Sequence, residues 1–95
     1  MADNFTTKHM RLHLFLHGTV QGFGFRPMIY FLAQGLRLSG WVRNADASLE
    51  IEIEGRSEQI DRFLRGVTVQ RPTAAVVRKE HVMEVTALGS SRFES

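Results

Sequence analysis

The residues best suited to chemistry are Gly18-Thr19-Val20-Gln21-Gly22-Phe23-Gly24-Phe25-Arg26, followed directly by Pro27. The three glycines in this run permit tight backbone turns that aim successive N–H groups at one point, because glycine takes positive φ without a steric penalty. Pro27 suits a helix start, so the loop is expected to lead into a helix N-terminus, where free amides and the dipole favour an anion. Arg26 stands at that junction with a planar, permanently charged fork that matches phosphate or carboxylate. The proline after it biases Arg26 towards an extended backbone. An ordinary glycine-rich strand-to-helix turn is the plain alternative. The arginine and the flanking elements favour a phosphate cradle.

Asn44 is the second candidate. Its neutral amide both donates and accepts, so it can hold a water without titrating. An asparagine at a strand end commonly serves the turn alone. Beside a phosphate cradle, however, an arginine and a water-positioning amide together describe phosphoryl transfer. The motif holds no histidine, cysteine or carboxylate to act as nucleophile or strong base. An ordinary phosphate ester, whose alkoxide leaves poorly, is therefore a poor substrate. A carboxylic–phosphoric anhydride fits better, since its carboxylate leaves readily, with a conjugate-acid pKa of about 4. Positioning and charge stabilisation then carry the catalysis.

These groups must be held by regular elements. Leu12, Leu14 and Leu16 alternate with His13, Phe15 and His17, the period-two pattern of a strand with one buried face. A helix is expected from Pro27 to Leu36, with Ile29, Leu32, Ala33 and Leu36 on one stripe. Ser39–Arg43 reads as a second strand, residues 44–48 as a turn, and Leu49–Glu54 as a third strand. Glu50, Glu52 and Glu54 are expected on its solvated face. Gly55 should end that strand and Ser57 cap a second helix, with Ile60, Phe63, Leu64 and Val67 facing inwards. Arg71-Pro72 breaks the chain, residues 76–85 form a fourth strand, and a short piece near Phe93 pairs at an edge. The order β-α-β-β-α-β predicts an α+β ferredoxin-like sandwich, an antiparallel sheet with two helices on one face. Its expected core is Leu12, Leu14, Leu16, Ile29, Leu32, Ile51, Ile53, Ile60, Phe63 and Leu64.

With 95 residues, 43% hydrophobic and 23% charged, the chain is sized for one globular domain, expected over residues 11–95 behind a flexible arm at 1–10. The absence of cysteine excludes disulfides and thiolate chemistry. Residues 1–10 lack the apolar run of a signal peptide, and no stretch approaches membrane-spanning length, so the cytoplasm is the expected compartment, without a membrane partner. All but Lys8 and Lys79 of the 12 basic residues are arginine, and the net charge of +2 is too mild to argue for nucleic acid.

Gly18–Arg26 combined with Gly40-Trp41-Val42-Arg43-Asn44 resembles the paired signature of the acylphosphatase family, and the similarity of pattern extends over roughly residues 11–93. The resemblance implies a ferredoxin-like fold and metal-independent hydrolysis of acyl phosphates without a cofactor. By position it implies that Arg26 binds the phosphate and acts in catalysis. It further implies that Asn44 orients the attacking water and that the cradle amides belong to Gln21, Gly22, Phe23, Gly24 and Phe25. Arg26-Pro27-Met28-Ile29-Tyr30-Phe31-Leu32-Ala33, then Leu36-Arg37-Leu38-Ser39-Gly40, is most similar to the N-terminal acylphosphatase-like domain of the hydrogenase maturation factor HypF. The short turn after Asn44 and the Arg71-Pro72-Thr73-Ala74 break agree with that branch. Proteins of that type are longer carbamoyltransferases that use carbamoyl phosphate and ATP, through further zinc-finger and carbamoyl-transferring domains, to build the cyanide ligands of nickel–iron hydrogenases. The resemblance thus implies carbamoyl phosphate as substrate and further domains of a longer chain as partners, with a free-standing acylphosphatase as the alternative. The stop two residues after Phe93 fits a domain of a longer protein. Two departures from the family pattern stand out: Phe23 replaces a smaller aliphatic residue, and Ser48 replaces a glycine.

The remaining polar residues have plainer readings. His13 and His17 lie about 13 Å apart along one strand, too far to chelate one metal, and read as a solvated or interfacial pair. Phe15 is expected half-exposed on the helix-free sheet face, where a docking surface is the minority reading, and Trp41 is expected to pack near the site. Gly22-Phe23-Gly24-Phe25 resembles an RNA-binding RNP1 core, but RNP1 lies in a third strand, and here that strand presents glutamates. A catalytically silent phosphate-binding or interaction module is the alternative from another class.

Overall fold

A computed structural model describes residues 8–95, so residues 1–7 of the expected arm lie outside the described residues. The elements run β1 (His9–Thr19), α1 (Phe25–Gly35), β2 (Ser39–Ala45), β3 (Ser48–Arg56), α2 (Ser57–Gln70), β4 (Val76–Val85) and β5 (Phe93–Glu94). The first strand thus takes in His9 and Met10, which the sequence alone assigns to the arm. The sheet order is β4-β1-β3-β2-β5, with antiparallel pairs throughout except for the parallel contact of β5 with β2. This is the expected ferredoxin-like α+β fold. Among the described residues no helix is long and apolar enough to cross a membrane.

Leu12, Leu14 and Leu16 pair with Ile53, Ile51 and Leu49, forming an apolar face that both helices cover. Phe25, Ile29 and Ala33 of α1 and Ile60, Phe63 and Val67 of α2 are buried against it. Leu32 and Leu64, expected in the core, are only partly buried at its margin. The helix stripe is narrower than the spacing implies, and Phe93, Val42 and Leu38 fill the remaining volume.

Two boundaries differ from expectation for local reasons. Gly24 is the N-cap of α1, so Arg26 lies in the first helical turn instead of an extended segment. Pro27 falls at the third helical position, where no intrahelical N–H bond is needed, and the first such bond runs from the Met28 amide to the Gly24 carbonyl at 3.1 Å. At the other helix, β3 continues through Gly55 to Arg56, and Arg56, not Ser57, is the N-cap of α2.

The largest correction concerns the glutamates. They do face away from the helices, but Glu54 is 1% and Glu50 8% exposed. Buried Arg11 explains this, donating to Glu52 at 2.5 Å and to Glu54 at 2.9 Å. His13 is held by the same row instead of being solvated: its Nδ1 is 2.6 Å from Glu52, and its Nε2 faces Glu50 at 2.9 Å without hydrogen-bond alignment. Glu54 also bonds His9 and accepts the amides of Leu88 and Gly89, which carry the chain from β4 towards β5. Burial raises the Glu54 pKa, but the bonds from His9, the Leu88 amide, Arg11 and the Gly89 amide outweigh it and bring the carboxyl down to about 2.

Two expectations follow. Phe63→Ala should cost about 3–5 kcal/mol in denaturant unfolding, and Leu64→Ala less, since only Phe63 is fully enclosed. A larger loss at Leu64 would contradict this packing. Because the folded pKa of Glu54 is depressed, its stabilisation is complete above the ordinary value of 4.5 and is lost as the pH falls from there to about 2. Glu54→Gln should therefore destabilise at neutral pH by about 1–3 kcal/mol, because Arg11 keeps Glu52 but loses its second carboxylate, and flatten the acid limb of the stability curve. An unchanged acid limb would show that Glu54 does not drive it.

Candidate functional site

The register of the sheet brings the two candidate segments together. Leu49 pairs with Leu16 on one side and with Asn44 on the other, so these three residues share one face of the sheet. Two residues earlier, Val42 on that face is buried under the helices. Asn44 extends past that cover to the end where α1 begins, inside β2 instead of in the turn that the sequence predicts. The turn itself is only Asp46-Ala47, with Ala45 paired to Ser48 and Asp46 in the left-handed region at φ 50°. Ser48, the residue in place of glycine, is buried and donates its hydroxyl to the Ala45 carbonyl at 2.6 Å. The turn is thus closed without glycine.

At the end of β1 the pairing with β4 shifts register between His17 and Gly18, and the chain leaves the sheet. Gly22 and Gly24 hold φ of 84° and 79°, while Gln21, Phe23 and Phe25 do not take positive values. Such alternation in sign is the backbone pattern by which an anion nest turns successive amides towards one side. It ends at the N-terminus of α1, whose dipole adds to the same field. Phe25 anchors the loop, with its ring 1% exposed in the core.

The result is a pocket of about 220 Å3 lined by Val20, Gln21, Gly22, Gly24, Phe25, Arg26, Pro27 and Asn44. It gathers every candidate site residue except Phe23, whose side chain is 40% exposed and does not line it. Arg26 and Asn44 are exposed and have no hydrogen-bond or ion-pair partner among the described residues, so both polar heads are free for a ligand. Among the described residues no carboxylate or imidazole lines the pocket. A larger depression of about 450 Å3 beside Leu36, Arg37 and Gln59 lies past the far end of α1 and includes Glu58, an anion's like charge. Chemistry, not size, singles out the glycine loop. Among the described residues no cluster of His, Asp or Glu could hold a metal ion.

Trp41 is not part of this site. It alternates with Val42 and so stands on the helix-free face, 5.9 Å from His13, with the Arg43 guanidinium 4.9 Å above its ring. Sequence reasoning also missed the side chain of Gln21. Its Nε2 donates to the carbonyls of Asp46 at 2.5 Å and Ser48 at 3.0 Å. No local pattern reveals a bond between segments 25 residues apart.

The acylphosphatase family model matches residues 12–95. The chain belongs to the acylphosphatase family. An acylphosphatase from Methanospirillum hungatei is 38% identical over 87% of this chain and 92% of its own length. A carbamoyltransferase HypF from Rhizobium leguminosarum is 45% identical over 88% of this chain, but the matched part is only 11% of that protein. Full-length HypF in a phosphate- and nucleotide-bound form is similar in structure, with a TM-score of 0.88 at 32% identity, over 93% of this chain and 12% of that one. Acylphosphatases of both kinds, the free-standing enzyme and the domain of a longer protein, are therefore relatives.

If the loop is the anion site, titration with inorganic phosphate should shift the NMR amide resonances of residues 20–26 most strongly. Arg26→Lys should lose most of that response, because a point charge cannot reproduce the bidentate fork. Shifts centred on β3, or equal binding by the lysine variant, would contradict the assignment.

Proposed function

We propose that this domain hydrolyses acyl phosphates to a carboxylate and inorganic phosphate without a metal. The observation that carries the proposal is a single small pocket joining the glycine loop with an arginine and an asparagine whose side chains have no partner among the described residues. In this reading the amides of residues 21–25 and the Arg26 guanidinium bind the phosphoryl oxygens and stabilise the charge that grows on them. The Asn44 amide holds a water in line with the phosphorus. The water oxygen forms a new bond to phosphorus, the bond from phosphorus to the acyl oxygen breaks, and its electron pair departs with the carboxylate. The proton of the water passes to a phosphoryl oxygen or to solvent, since no base among the described residues lines the pocket. A carboxylate needs no acid to leave, with a conjugate-acid pKa of about 4, which is why this sparse site suffices.

The higher identity to the Rhizobium HypF supports a place within a longer HypF-like chain, in the cytoplasm, with carbamoyl phosphate as the acyl phosphate. The free-standing enzyme is the second reading, favoured by a match that covers nearly all of the Methanospirillum protein.

Benzoyl phosphate hydrolysis in the presence of a chelator tests the chemistry. Turnover should survive chelation and fall by about 10²-fold or more in Asn44→Ala, the scale of losing one positioned hydrogen-bonding group. Equal rates would remove Asn44 from the mechanism. Phosphate binding without any turnover would favour a silent binding module.

A further inference from the structure

Gln21 enters the proposed site through its backbone amide, yet its side chain reaches away from the loop. One amide nitrogen serves two carbonyls, those of Asp46 and Ser48, at 2.5 and 3.0 Å. The carbonyl between them, on Ala47, accepts the Gly18 amide at 3.3 Å. Three bonds thus fasten the anion loop to the β2–β3 turn, and two of them come from one side chain. Only Ala45 separates Asn44 from this turn, at the free end of a ladder whose last pair is Ala45 with Ser48. Hairpin ends fray unless held, and an asparagine that must aim a water tolerates little drift.

We propose that the Gln21 side chain is a positioning residue that fixes Asn44 relative to the phosphate cradle. The inference rests on the reading of Asn44 as the group that orients water. The geometry is specific to glutamine. Asparagine is one methylene shorter, and a glutamate in its charged form has no hydrogen to donate and presents its charge to two carbonyl oxygens. The backbone amide of residue 21 stays in the loop whatever side chain it carries. Loss of the side chain should therefore spare phosphate binding and reduce the chemical step.

The test is a double-mutant cycle on benzoyl phosphate hydrolysis, with inhibition by inorganic phosphate measured alongside. Gln21→Met, which keeps the volume and removes the donor, should lower kcat by about tenfold to a hundredfold. Its inhibition constant for phosphate should remain close to that of wild type. In an Asn44→Ala background the same substitution should change kcat little, because a residue acting through another has nothing left to position. Gln21→Leu, which also removes the donor without adding charge, should show the same split and keeps the test available where the methionine variant folds poorly. A loss of equal factor in both backgrounds would make Gln21 merely structural and overturn the proposal, as would an unchanged kcat. Should Asn44→Ala itself match wild type, the reading of Asn44 fails first and the inference falls with it.

Discussion

The antiparallel register of β1, β3 and β2 is the constraint on which the site depends. Leu16, Leu49 and Asn44 form one row across these three strands, so the loop leaving β1 and the asparagine near the end of β2 emerge at the same edge. A slip of one residue in β2 would turn Asn44 to the opposite face and bring Arg43 to the loop instead. The register is pinned from both sides of the sheet. Leucines and isoleucines at alternate positions are buried under the helices, and on the other face Arg11 and His13 interlock with Glu50, Glu52 and Glu54.

Stability and chemistry are thereby separated. The charged groups that are buried and paired lie on the helix-free face, where they tie β1, β3 and the segment after β4 into one unit. At the site end of the molecule the side chains of Arg26 and Asn44 are instead exposed. Among the described residues Arg26 has no carboxylate partner, so its charge is not spent on the part of the fold they form. In the proposed function an anion arriving at the loop would meet amides, a helix dipole and this guanidinium, with no ion pair among the described residues to break first.

Much of this was legible in the residues. Strict alternation in Leu12–His17 and Leu49–Glu54 revealed both strands and the face that each buries, and glycine spacing located the loop. The same alternation, carried through Trp41-Val42-Arg43-Asn44, puts Trp41 on the face opposite Asn44, although the two are close in sequence. The glutamate row misled because alternation tells which face a residue takes, not what covers it. Arg11 and His13 lie some 40 positions away in the chain, and only the pairing of β1 with β3 brings them under the carboxylates. Arg26 lies in the first helical turn despite the bias that the following proline places on its backbone. The Gln21 clamp belongs to the same class as the Arg11 contacts, a tertiary bond with no local signature.

The central claim is that the loop holds a phosphoryl group for attack at phosphorus by a water aligned from Asn44. Hydrolysis of benzoyl phosphate in water enriched in oxygen-18 tests this directly, once the spontaneous reaction is subtracted. Enzymatic turnover should place the label in inorganic phosphate and leave the benzoate unlabelled. Label in the benzoate would mean that water attacks the carbonyl carbon, and the roles given to the cradle and to Asn44 would be wrong.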